Sequence, residues 1–148
     1  MNRALERSVP TRRETALALY GQGYSCSQAI LAIFGPDFGL SRATALRLAA
    51  PLTGGLAGIC CASLGGFLVL GLAFGSSLPE TNPGGARLEA ALTAFRTRLT
   101  ALHGGLHCVE LLCRGAARRR GEAEEPAFAI CPRFVVDVVD ILEDLLGA

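Results

Sequence analysis

The chain has 148 residues, enough for one domain with a core that is stable without disulfide or metal staples. Apolar residues make up 51% and charged residues 18%, and 14 basic against 13 acidic side chains leave a formal charge of +1, which argues against the basic excess of a nucleic-acid-binding protein. Every basic residue other than the two histidines is arginine, which excludes chemistry built on a P-loop or Schiff-base lysine.

Residues 1–10 carry Arg3, Glu6 and Arg7, lack the apolar run of a signal peptide, and are expected to be flexible. Thr11 followed by Glu14 forms a capping-box pattern that opens a helix ending at Gly21 or Gly23. Ser25 with Gln28 opens a second helix, which stops at Gly35-Pro36, and Ser41 opens a third that ends before Pro51. No charge occurs between Leu48 and Leu78, and the part from about Gly58 to Gly75 reads as a buried central helix rich in Gly, Ala and Cys. Asn82-Pro83 opens a fifth helix with one apolar face of Leu88, Leu92, Phe95, Leu99 and Leu102, while Arg87, Glu89, Arg96 and Arg98 face water. Gly104-Gly105 closes it, and a short helix follows from about His107. The segment 114–126 mixes Arg118, Arg119 and Arg120 with Glu122, Glu124 and Glu125 and reads as a charged loop. The last helix has Pro132 in its first turn and buries Phe134, Val135, Val138, Ile141, Leu142 and Leu145.

No segment alternates as a strand, so the expected fold is all-α: one domain over residues 1–148, a bundle of six to seven helices. The uncharged stretch is long enough to span a bilayer, and Gly54-x-x-x-Gly58 and Gly71-x-x-x-Gly75 would suit helix packing in lipid. Pro51, Thr53, Ser63 and Ser76 within it, and the lack of aromatic or basic anchors at its ends, favour a soluble bundle over integral membrane insertion.

The six cysteines are Cys26, Cys60, Cys61, Cys108, Cys113 and Cys131. Without a visible signal peptide the expected compartment is the reducing cytoplasm, where cysteines are inert, metal-binding or redox-active. Four helix starts carry one: Cys26 after Ser25, Cys60-Cys61 after the Gly54-Gly55 and Gly58 turn, Cys108 after Gly104-Gly105, and Cys131 as expected N-cap before Pro132. Unpaired N–H groups at a helix start favour a thiolate, the form that ligates metal and attacks disulfides. Packing as a small hydrophobe is the competing account, and it suits Cys113, which follows Leu111 and Leu112. There is no C-x-x-C, so single cysteines must converge through the fold. On a shared helix Cys60 and Cys61 would point about 100° apart, so one of them is expected to face the centre. His107 beside Cys108 could complete a mixed ligand set, although both His103 and His107 read better as partly exposed turn residues. Gly54-Gly55-x-x-Gly58 as a phosphate cradle and Gly58-Ile59-Cys60-Cys61-Ala62 as a nucleophile elbow both lack the preceding strand those sites need.

Tyr24-Ser25-Cys26-Ser27-Gln28-Ala29, the run Gly54-Gly55-Leu56-Ala57-Gly58, Cys60-Cys61-Ala62-Ser63-Leu64-Gly65 with Gly71 and Gly75, Cys108-Val109-Glu110-Leu111-Leu112, and Cys131 before a Val-rich helix together resemble the C-GCAxxG-C-C family of small redox-active proteins. The resemblance runs from about Tyr24 to Leu146. It implies redox work by four cysteines, with a redox partner protein or a membrane transporter as partner; a related module accompanies a multihaem cytochrome and implies an iron–sulfur centre. The family motif has one cysteine beside a glycine where this chain has two adjacent cysteines. A Cys-Gly-Ala order assigns Cys60 and a Gly-Cys-Ala order assigns Cys61; the first is preferred.

The leading expectation is therefore an iron–sulfur cluster or other thiolate-bound metal held by Cys26, Cys60 or Cys61, Cys108 and Cys131, serving electron transfer or metal handling. The alternatives are a metal-free dithiol–disulfide protein with the same residues and a helical interaction module whose cysteines only pack. Homo-oligomerisation is left open.

Overall fold

The computed structural model describes residues 9–77, 79, 84–111 and 131–147. The chain is all-α, with no sheet among the described residues and only isolated bridges of Leu56 with Ile59 and of Ile59 with His107. Helices α1 (Arg12–Gly21), α2 (Cys26–Phe34) and α3 (Arg42–Ala49) begin where local capping dictates. Thr11 and Ser25 each close a full capping box, with Glu14 and Gln28, and Ser41 accepts from the Thr44 N–H. Gln28 also donates through Nε2 to the Leu46 carbonyl at 2.9 Å, and the buried Ser27 hydroxyl donates to the Ala49 carbonyl at 3.2 Å. Two polar side chains of one helix thus tie it to the end of the next.

The uncharged stretch forms helix α4 (Cys61–Phe74), shorter at its start than the expected Gly58 to Gly75. The residues before it are held out of the helix by backbone sign: Gly54, Gly55, Ala57 and Gly58 all have positive φ, 81°, 90°, 51° and 80°. Leu56 and Ile59 exchange main-chain hydrogen bonds of 3.3 and 3.0 Å around Ala57-Gly58, a tight hairpin of the primed type in which both central residues are left-handed. The same geometry replaces both the phosphate cradle and the nucleophile elbow.

Helix α5 (Gly84–His103), helix α6 (described over residues 108–111) and helix α7 (Cys131–Leu146) complete the bundle. Asn82-Pro83, Cys113 and the 114–126 segment lie outside the described residues, as do residues 1–8 of the N-terminal stretch. On α5, Phe95 and Leu99 are buried, Leu88 and Leu92 partly so, and Leu102, expected on the same face, is 51% exposed. On α7 the expected apolar face is inward, with Val139 added and Leu145 partly buried.

The core is organised by α2 and α4, which pack more extensively against each other than any other pair. Helix α2 buries Cys26, Ser27, Ala29, Ile30, Leu31, Ala32 and Phe34, and α4 buries Ala62, Ser63, Gly65, Gly66, Val69 and Leu70. A Cβ on Gly65 would lie 3.0 Å from the Ser27 Cα, and one on Gly66 would enter the Phe95 ring. Hydrogen at these two positions is what lets α2 and α5 approach α4 so closely. Arg12 bridges Asp37 at 2.7 Å and Glu143 at 3.7 Å, Arg13 pairs with Asp140, and Arg98 pairs with Asp144 at 3.2 Å, tying α1 and α5 to α7. Among the described residues no helix is long and apolar enough to cross a membrane.

Candidate functional site

Helix starts place the thiols. Cys26, Cys61 and Cys131 are the first residues of α2, α4 and α7, and Cys108 is the first residue of α6. Cys131 is thus inside its helix rather than capping it. Cys60 is the N-cap residue of α4, with extended backbone (φ −55°, ψ 132°) and no side-chain cap hydrogen bond. Because Cys60 precedes the helix, the 100° separation expected for two helical neighbours does not apply, and both sulfurs are on the same side. Cys26 and Cys60 are buried, while Cys61, Cys108 and Cys131 are half-buried; all five are free thiols.

The close approach of α2 and α4 brings Cys26 against Cys61. The hairpin brings Cys108 nearby, since the Cys60 N–H donates to the Leu106 carbonyl and the Cys108 N–H to the Gly58 carbonyl, each at 2.7 Å. Cys26 is the hub: its side chain hydrogen-bonds both Cys131 and Cys61. Cys60 hydrogen-bonds Cys61, and Tyr20 at the end of α1 hydrogen-bonds Cys131. Cys108 interacts with Cys131 and Cys61 only through charge.

These contacts sort the thiols into donors and acceptors. Cys61 is driven well below the usual thiol range by hydrogen bonds from Cys26 and Cys60, against burial, and further by the main-chain N–H groups of Ser27 and Cys26. Its sulfur therefore also faces the first N–H groups of α2 and takes the benefit of that dipole. Cys131 is lowered to about 7, first by Cys26 and, after the opposing cost of burial, by Tyr20. Cys26 is raised because its one S–H proton is shared between the Cys131 and Cys61 sulfurs and because it is buried, and Cys60 is raised by its bond to Cys61 and by burial. Burial raises Cys108, and burial together with the Cys131 and Cys26 charges pushes Tyr20 up to about 12. The directions favour the thiolate form at Cys61 and Cys131 and the thiol form at Cys26.

Tyr20 carried no signal in the sequence beyond its place in the last turn of α1. Replacing it with phenylalanine removes one donor from Cys131 and should raise that thiol from about 7 by roughly one unit towards the free value. Alkylation of Cys131 followed against pH checks this, with Cys108 as the internal reference.

The histidines divide. His107 is exposed on the bridge to Ile59, as the turn reading expects. His103 is not a turn residue: it ends α5, stacks edge-on against Phe134 with centroids 4.5 Å apart, and meets Asp137 at 2.9 Å. It therefore joins α5 to α7.

Soft thiolate sulfurs are the donors that zinc and iron–sulfur clusters select. The donor chemistry fits such a group; among the described residues no group of three or more His, Cys, Asp or Glu side chains is placed to hold a metal ion. The sulfurs instead contact one another in pairs through Cys26.

A family model described as "Putative redox-active protein (C_GCAxxG_C_C)" matches residues 24–145, the greater part of the chain and every cysteine named above. Neither a curated protein nor a solved structure matches the chain significantly.

Proposed function

The chain belongs to the C_GCAxxG_C_C family, and on that premise we propose that it is a thiol–disulfide redox protein which takes up and returns an electron pair at Cys26, Cys61 and Cys131. The single observation that carries this reading is the Cys26 thiol hydrogen-bonded to two sulfurs whose thiolate forms are favoured. Disulfide exchange needs an attacking thiolate, a neighbouring thiol to resolve the mixed disulfide, and stabilisation of the sulfur that departs. Cys131 is suited to attack, because a thiol that titrates near ambient pH is both ionised and nucleophilic. Cys26 is suited to resolve, being in contact with Cys131. Cys61, which four donors surround, is suited to depart. A reducing cytoplasm would keep all five described thiols available, and a redox partner protein or a membrane transporter would supply or consume the electron pair.

An iron–sulfur or other metal centre on Cys26, Cys60 or Cys61, Cys108 and Cys131 is the second reading, favoured by the placement of these cysteines at the starts of four helices. Such a centre would supply one-electron transfer when bound. Anaerobic purification followed by metal analysis, a visible spectrum and a thiol titration against a dithiol redox couple separates the two. The dithiol reading expects less than one metal per ten chains, no charge-transfer bands, and reversible loss of two thiols per chain. Stoichiometric metal with visible bands, and no reversible two-thiol step, would replace it with the metal reading.

A further inference from the structure

We propose that Cys26 is the shared sulfur of two alternative disulfides, one with Cys131 and one with Cys61, formed at the expense of a low-molecular-weight disulfide. This rests on the dithiol reading above. The observation is topological: α2 packs against both α4 and α7, its buried first residue Cys26 belongs to the core cluster, and the first residues of the other two helices, Cys61 and Cys131, pack against that same cluster. A sulfur can hold one disulfide at a time, so the two pairings exclude each other and must exchange through Cys26.

The chemistry balances without a further oxidant. The Cys131 thiolate attacks one sulfur of the external disulfide, RS–SR; a mixed disulfide forms on Cys131 and RS⁻ leaves. Cys26 then attacks the Cys131 sulfur, the second RS⁻ leaves, and the Cys26 proton ends on a departing thiolate. Two protein thiols have become one disulfide, and RS–SR has become two RSH, the remaining RS⁻ taking from solvent the proton that Cys131 released when it ionised. Next, the Cys61 thiolate attacks the Cys26 sulfur: the Cys26–Cys61 bond forms, the Cys26–Cys131 bond breaks, and the electron pair stays on Cys131 as a thiolate, to which the Tyr20 hydroxyl donates a hydrogen bond. This second step moves the disulfide from the α2–α7 contact to the α2–α4 contact with no net oxidation.

Hydrogen bonding sets the balance between the two. When the disulfide is Cys26–Cys131, the free Cys61 thiolate keeps the Cys60 thiol and the main-chain N–H groups of Ser27 and Cys26. When it is Cys26–Cys61, the free Cys131 thiolate keeps Tyr20. More donors remain in the first case, so the Cys26–Cys131 form should exceed the other several-fold.

The experiment is oxidation of the reduced full chain with excess oxidised glutathione under argon, acid quenching, alkylation and mapping of disulfides by peptide mass spectrometry. Both Cys26 disulfides are expected in wild type, never in one molecule. Cys61→Ser should leave only Cys26–Cys131, and Cys131→Ser only Cys26–Cys61. A principal disulfide that omits Cys26, or a single Cys26 disulfide in wild type with no second form, overturns the shared-sulfur proposal and leaves the dithiol reading standing. Absence of any internal disulfide overturns both. The wild-type map decides the matter even if a variant fails to fold.

Discussion

Cys26→Ser is expected to slow internal disulfide formation with oxidised glutathione at least tenfold, and to leave a glutathione adduct standing on Cys131. The adduct forms because the Cys131 thiolate is still present; it persists because no thiol remains in contact to resolve it. Serine keeps a donor of nearly the same size between Cys61 and Cys131 at a buried position, so the loss of stability should be about 1 kcal/mol, typical of a conservative core change. Cys108→Ser is the contrasting variant. Its sulfur reaches the others only through charge, and the rate of disulfide closure should change less than twofold. Intact-mass measurement of the adduct over time checks both. A Cys26→Ser chain that closes a disulfide at the wild-type rate would mean that another pair of sulfurs does the work.

The second large effect is in pH dependence, and it isolates Cys61. A thiol whose pKa is depressed in the folded chain adds stability that is fully present above its unfolded value, about 8.5, and is lost as pH falls towards the folded value. Cys131, lowered to about 7, acts in the same sense over the upper part of that range. Cys26 and Cys60, which are raised, act oppositely: their contribution is complete below the unfolded value and is lost at higher pH, where the unfolded chain ionises and the folded chain does not. Stability under reducing conditions should therefore climb from pH 5.5, peak between about 8 and 9, and decline beyond. One group can contribute at most about 1.4 kcal/mol per pH unit, and screening at these half-buried sulfurs brings the rise between pH 5.5 and 8 to roughly 2 kcal/mol. In Cys61→Ser most of that rise should vanish, leaving the shallower part due to Cys131. Urea midpoints at constant m-value, measured for both chains across the range, give the result. An equal rise in the two chains would show that Cys61 is not held as a thiolate.

The preference for Cys60 over Cys61 as the working member of the vicinal pair does not follow the contacts. Cys61 meets Cys26, whereas Cys60 meets Cys61. Residue order alone could not separate them, because one peptide unit decides which sulfur is in the helix, and that unit is set by the left-handed hairpin before it. Ala57 at positive φ is the unforeseen element there: a glycine-rich run reads as a turn, but an L side chain rarely takes the left-handed conformation this turn requires. Tyr20 was missed, and His103 read as a turn residue, for a related reason. Each makes its defining contact with α7, more than 30 positions away in sequence, and leaves no local mark.

What the sequence alone determined is what neighbouring residues decide among themselves. Thr11, Ser25 and Ser41 satisfy N–H groups two or three residues ahead, and the spacing of Phe134, Val135, Val138, Ile141 and Leu142 marks the inward face of α7, so helix starts and apolar faces were readable before any packing was known. With the start of α2 fixed by Ser25, so was the placement of Cys26 in its first turn. Which sulfurs meet was decided by tertiary structure. It depends on α2 and α4 closing to the distance that hydrogen at Gly65 permits, on the hairpin pinning Cys108 beside Cys60, and on α7 laying Cys131 against Cys26 and Tyr20. Sulfur contacts act over a few ångströms between helices far apart in the chain, and no periodicity within one helix records where another will cross it.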